Sequence, residues 1–186
     1  MKRLRFATAR QVFEAFPPAC NDIESEPADS DPMAFIESLL GGPTPEDAVG
    51  FCAYMLPRRE AVWWACQCIR ASNQPIGSDD LKLLELAENW VKEPEEANRK
   101  AALAAGMAAA EKRPAAWAAL GAGWSGGSMV DDPERPVVPP NYLTAQTVRA
   151  AVLTTLAQAA TTERGKHLAA SVQRAIKLVN LGSDQG

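Results

Sequence analysis

The chain has 186 residues, 14 of them proline, with 47% hydrophobic and 23% charged side chains, the make-up of one soluble globular domain long enough to bury a core without metal or disulfide staples. Its net charge of -4 and pI near 5.1 present the wrong sign of field to nucleic acid or an anionic membrane, so both are set aside and only a local basic patch is left open. Alanine supplies 34 residues, isoleucine and valine together 16, which favours helix over sheet and close helix pairs anchored by tryptophan and phenylalanine.

In chain order, Thr8 and Gln11 form a capping-box pattern for a first short helix carrying Val12, Phe13 and Phe16, stopped by Pro17-Pro18. Residues 19–30, rich in Asp, Glu, Ser and Pro, form an acidic connector. Asp31-Pro32 starts a second helix that ends at Gly41-Gly42, and Thr44-Pro45-Glu46-Asp47 starts a third that runs to Leu56, its carboxylates placed for the helix dipole. A fourth helix spans Pro57 to Ser72 and a fifth Ser78 to Glu93. The sixth starts at Pro94, the seventh runs from Pro114 to Trp124, the eighth starts at Thr144 and the ninth runs from Thr162 to Leu181. Residues 125–143, with Pro133, Pro136 and Pro139-Pro140, form a stiff proline-rich loop whose Val137-Val138 part is expected to dock on the helices as a strap. The expected architecture is therefore all-α, one domain over residues 1–184, with about nine helices packed as antiparallel hairpins.

The pattern R-x-A-x-W-x-A occurs at Arg59 to Ala65 and again at Arg113 to Ala119, each after a proline-acid helix start at Pro45 or Pro94. A spacing near 50 residues suits a duplicated hairpin, as in helical-repeat scaffolds. Common helix-start grammar in an alanine-rich chain produces the same echo.

Gly123-Trp124-Ser125-Gly126-Gly127 satisfies G-x-S-x-G, and Asp131 or Asp132 and then His167 follow in hydrolase order. The elbow that makes such a serine nucleophilic needs a strand entering the turn, however, and here a helix enters it. Cys66 and Cys68 point to opposite sides of a helix, and the single histidine has no partner at ligand spacing, so no metal is expected. Without a phosphate-binding glycine loop no nucleotide cofactor is expected either. The sparse cysteines read as reduced core thiols and the N-terminus lacks a signal-peptide run. The longest apolar stretch, Ala101 to Ala110, is about half a membrane span, so a cytoplasmic protein with no membrane insertion is expected.

The fourth helix carries the most specific surface pattern. Arg59, Trp63, Cys66 and Arg70 share one side, away from the core face of Ala61, Val62, Ala65, Cys68 and Ile69. Exposed, such a stripe has the composition of an interface hot spot. Covered by a neighbouring helix, it is a seam in which arginines stack or snorkel.

Arg5-Phe6 with Phe13-Glu14-Ala15-Phe16, the block Leu56 to Cys66, Trp90 with Pro94-Glu95, and Trp124 to Ser128 with Pro139-Pro140 resemble a family of uncharacterised bacterial proteins of this size found among type VI secretion genes. The likeness spans nearly the whole chain, and Arg-Arg-Glu-Ala-Val-Trp-Trp-Ala-Cys is its most specific part. It implies an accessory protein that meets a secretion component or its cargo, and it brings no catalytic residues. The expected function is a non-enzymatic adaptor that binds an effector or a spike or baseplate component. Partner contact is expected at Arg59, Trp63 and Arg70, with Trp124, Ser125, Gly126 and Gly127 as a second patch. The alternatives are an immunity protein whose acidic charge suits a basic toxin and a serine hydrolase using Ser125 and His167.

Overall fold

Proline and aspartate punctuation sets the helix starts. In the computed structural model, which describes residues 5–130, 132 and 134–184 and side chains to residue 180, the Asp31 side chain accepts the N–H groups of Met33 (2.8 Å) and Ala34 (3.4 Å), with Pro32 in the first turn. The described residues form ten α-helices and no strand: α1 (Ala9–Ala15), α2 (Ala19–Asp22), α3 (Pro32–Leu40), α4 (Asp47–Met55), α5 (Arg58–Arg70), α6 (Ser78–Lys92), α7 (Glu96–Ala108), α8 (Pro114–Gly123), α9 (Leu143–Ala157) and α10 (Thr161–Asp184). The nine helices read from the sequence are all present.

The differences are local and have physical causes. α2 lies inside the acidic connector, where Pro18, already in the helical region at φ -61°, starts a new turn. Thr8 makes no side-chain cap, and the Gln11 side chain instead accepts the Ala7 N–H at 2.7 Å. The start of α4 is delayed to Asp47, whose carboxylate is buried and accepts both the N–H and the hydroxyl of Ser25 at 3.0 Å. From the first turn of α4, where the sequence placed it, it also pins the connector. Val137 and Val138 are not the docked part of the strap: they stand 48% and 74% exposed, while Pro139 is buried. The Val137 backbone is used within the loop, where its carbonyl accepts the Met129 N–H at 2.7 Å.

α4 and α8 are buried along their whole length, with Trp117 the half-buried exception. α8 packs against α5, α6, α7 and α9, and α9 in turn touches α4, α5 and α10. Around α4 the core is aromatic, with Phe13, Phe35 and Phe51 in mutual contact and ring centroids of the last two 4.9 Å apart. Around α8 it is built from alanine and glycine. The fully buried Trp64 donates its indole N–H to the Ser171 carbonyl at 2.8 Å, joining α5 to α10. Asp22 accepts from Tyr54 and Gln146 and pairs with Arg149 at 3.4 Å, which locks α2 to α4 and α9.

The echoed windows do not fold alike. α7 lies along α8, whereas α4 packs on α3, α9 and α10, not along α5. What repeats is a local environment, since Ala61 and Ala115 are buried and Trp63 and Trp117 half-buried. No described helix is long and apolar enough to cross a membrane.

Candidate functional site

The arginine–tryptophan stripe of α5 faces α6. Arg59 donates from Nε to the Val91 carbonyl (2.6 Å) and from a terminal nitrogen to that of Lys92 (3.2 Å), so it caps the C-terminus of α6. About three helical turns further along the seam, Arg70 grips the buried Glu88 through two bonds of 2.5 and 2.7 Å, a bidentate fork that raises the guanidinium pKa. Trp63 sits half-buried between them and packs on the core, and Cys66 is fully buried. Both guanidiniums are bonded within the molecule although the two residues stay exposed, and the uncovered part of Trp63 lies between them.

The glycine-rich patch closes the end of α8. A helix leaves its last carbonyls without intrahelical partners, and here four successive carbonyls at and just past the end of α8 each receive a side-chain donor. Ser125 Oγ donates to the Ala122 carbonyl (2.6 Å), Arg99 to that of Gly123, Thr144 to that of Trp124 (3.3 Å) and Arg58 to that of Ser125 (2.6 Å). Arg99, 4% exposed, also reaches the Ser128 carbonyl at 3.2 Å and pairs with Glu96 at 2.6 Å. The turn bends through Gly127 at φ 61°, a left-handed conformation that favours glycine. Sequence reasoning missed Arg99. Its signal was a charge in the register of the buried Ala102 and Gly106 on α7.

Beyond this turn Ser128 organises the loop: its hydroxyl donates to the Val130 carbonyl (2.7 Å) and accepts the N–H groups of Val130 (3.2 Å) and Val137 (3.1 Å). Met129 and Val130 rest beside Lys100, Leu103 and Ala104 of α7. The exposed large hydrophobic side chains among the described residues are Val130, Val137 and Val138 on this loop and Met107 on α7.

Ser125 and His167 are not brought together. Ser125 lies at the starts of α5 and α9 through Arg58 and Asn141, whereas His167 shares a cleft with Cys68, Ser72 and Thr155 near their far ends. Ten residues of α5 separate Arg58 from Cys68, about 15 Å of helix. Asp131 lies outside the described residues, and Asp132 accepts the Glu134 N–H at 2.9 Å in a local turn. Cys52, Cys66 and Cys68 are buried free thiols. Burial pushes all three pKa values up, Cys68 to about 11 against the opposing pull of a Ser171 hydrogen bond and the Arg174 charge. No group of three or more His, Cys, Asp or Glu side chains among the described residues is placed to hold a metal ion.

Among known proteins, residues 35–179 match the model of a family described as a family of unknown function, DUF6931. Neither a curated protein nor a solved structure matches the chain.

Proposed function

We propose that this chain, which belongs to the DUF6931 family, is a non-enzymatic protein-binding module, an adaptor that holds an effector or a spike or baseplate component in type VI secretion. The observation that carries the binding role is the set of three exposed valines on the loop after α8, whose described backbone is tied by the Ser128 hydroxyl, the Met129–Val137 hydrogen bond and the buried Arg99. Exposed apolar side chains grouped on a hydrogen-bonded turn offer a partner apolar area to bury. The secretion context rests on the resemblance of the Arg58 to Cys66 block and its companions. Arg59 and Arg70 serve by holding α5 to α6, and Trp63 offers a second, smaller face.

Affinity capture from the native bacterium, comparing the wild type with Val138→Asp, tests this reading. Val138 is 74% exposed, so the substitution leaves the melting temperature within a few degrees. The expected result is loss of a secretion component or cargo from the captured set, and loss of cargo secretion when the gene is deleted. A variant that keeps every partner overturns the loop as the contact, and rescue of cells from a toxin by co-expression replaces the adaptor role with immunity. Trp63→Ala with unchanged capture removes the second face.

A further inference from the structure

The outer side of α7 is apolar where it meets solvent. The helix packs on α6 and α8 and turns Arg99, Ala102 and Gly106 inward. On the opposite side Ala97, Ala101, Ala104 and Ala108, spaced four, three and four apart, share one face with Met107 beside them, and all five are exposed. Met107 is 58% exposed. The outward face of a surface helix is ordinarily charged or polar, yet from Ala101 to Ala110 this chain carries no polar side chain.

Clefts border that face on both sides. Towards α6, a cleft of about 550 Å³ has Leu83, Leu86 and Ala105 in its walls. Towards the loop after α8, one of about 240 Å³ is lined by Leu103, Met129 and Val130. α7 therefore stands as a ridge between two apolar grooves, the relief into which another helix packs, and its alanines allow the axes to approach to about 8 Å.

Two features select that other helix. The four-three-four spacing reads the same from either end. A two-fold axis midway between Ala101 and Ala104 thus sets Ala101 of one copy against Ala104 of a second, and Ala97 against Ala108. It also brings Met107 of each copy level with the gap between Ala97 and Ala101 of the other, a knob over a hole lined by small side chains. The second feature is charge. Before α7, Glu93 and Glu95 are exposed and form no ion pair among the described residues, and Lys92, at the end of α6, offsets only one of them. After α7, Lys112 is exposed and donates to the Met107 and Ala109 carbonyls, not to a carboxylate, while Glu111 beside it is spent on Arg113. An antiparallel pair brings the acids of one copy to the lysine of the other at both ends, whereas a parallel pair sets like charges together.

We propose that this face is a homodimer seam, in which two copies of the chain pack α7 against α7, antiparallel, about a two-fold axis between Ala101 and Ala104. The helix is about 20 Å long, so the seam is small and the dimer forms in the micromolar range. The proposal does not rest on the protein-binding reading, because its test uses the purified chain alone.

That test is sedimentation equilibrium of the full chain from about 1 to about 200 μM. The expected result is a weight-average mass that rises with concentration from 19.9 kDa towards twice that value. Ala101→Glu and Met107→Lys change exposed side chains, keep the melting temperature within a few degrees and hold the chain monomeric over the same range. Lys112→Glu weakens the dimer about tenfold, and adding Glu93→Lys to it restores the affinity. A mass that stays at 19.9 kDa at the highest concentration, a dimer that persists in folded Ala101→Glu or Met107→Lys, or a double variant no tighter than Lys112→Glu overturns the proposal.

Discussion

At the scale of single residues, Arg99 and Gly127 depend on each other. A Cβ added at Gly127 would lie 2.6 Å from an Arg99 terminal nitrogen, on a backbone already at φ 61°. Gly127→Ala therefore meets two costs, roughly 1 kcal/mol or more for the left-handed conformation and the displacement of a buried guanidinium from the Gly123 and Ser128 carbonyls. Together they are expected to lower stability by about 2–4 kcal/mol. Gly126→Ala has open space around its Cβ and is expected to change stability by less than about 0.5 kcal/mol. Urea denaturation of the two variants checks the pair, and equal midpoints would show that Arg99 moves aside freely. The glycines were visible in the sequence as a turn. Their arginine partner was not, because it arrives from 28 residues away along the chain.

At the scale of elements, α7 and α8 interlock through reciprocal glycines. Gly106 of α7 lies under Leu120 of α8, and Gly123 of α8 under Leu103 of α7, so each leucine fills the hollow that the opposite glycine leaves. A Cβ at Gly123 would stand 2.6 Å from Leu103 Cβ and 2.7 Å from its Cα, contacts that only a shift of the whole helix relieves. At Gly106 the nearest atoms, at 3.0 Å, belong to the Leu120 side chain, with its backbone nitrogen at 3.1 Å. Gly123→Ala is thus expected to cost about 2–3 kcal/mol. Gly106→Ala costs about 1 kcal/mol or less, since better helix propensity offsets part of the strain. Thermal unfolding ranks them, and the reverse order would contradict the interlock. Alanine content alone announced close helix pairs. It could not say that α7 and α8 would pair while α4 and α5 would not, because the same grammar, a proline-acid start followed by R-x-A-x-W-x-A, runs through windows of opposite burial: in the first it is the leading helix α4 that is sheathed on all sides, in the second the trailing helix α8. The α5 stripe shows the same limit. Its spacing fixed one side of the helix, but arginine and tryptophan compose solvent-facing hot spots and interhelical seams alike, and only Glu88 and the end of α6 decide which face this is.

At the scale of the whole molecule, helix starts were legible because their chemistry is local, as at Asp31-Pro32 and Pro114. The α2 turn and the destination of the Asp47 carboxylate were not, because long-range partners hold them: Tyr54, Gln146 and Arg149 at Asp22, and Ser25 at Asp47. The way the core encloses its ionisable groups leads to a further expectation. Cys52, Cys66, Cys68 and Tyr54 all have folded pKa values above the ordinary 9.0 of a thiol and 10.0 of a phenol, burial being the largest cause in each. For groups raised in this direction, the native chain keeps its protons in a range where the unfolded chain has released them, so unfolding releases protons and stability falls as pH rises. Their contribution is intact below pH 9 and declines through the folded value of Cys68 near 11, with a slope of up to about 1.4 kcal/mol per pH unit for each group. The urea midpoint is expected to hold level between pH 7 and about 8.5 and to drop steeply by pH 10.5. At pH 8 a thiol reagent should modify one cysteine per native chain, the exposed Cys20, and the three buried ones only after denaturant is added. Rapid modification of all four in the native protein would mean that α4 and α5 open far more readily than their enclosed side chains imply.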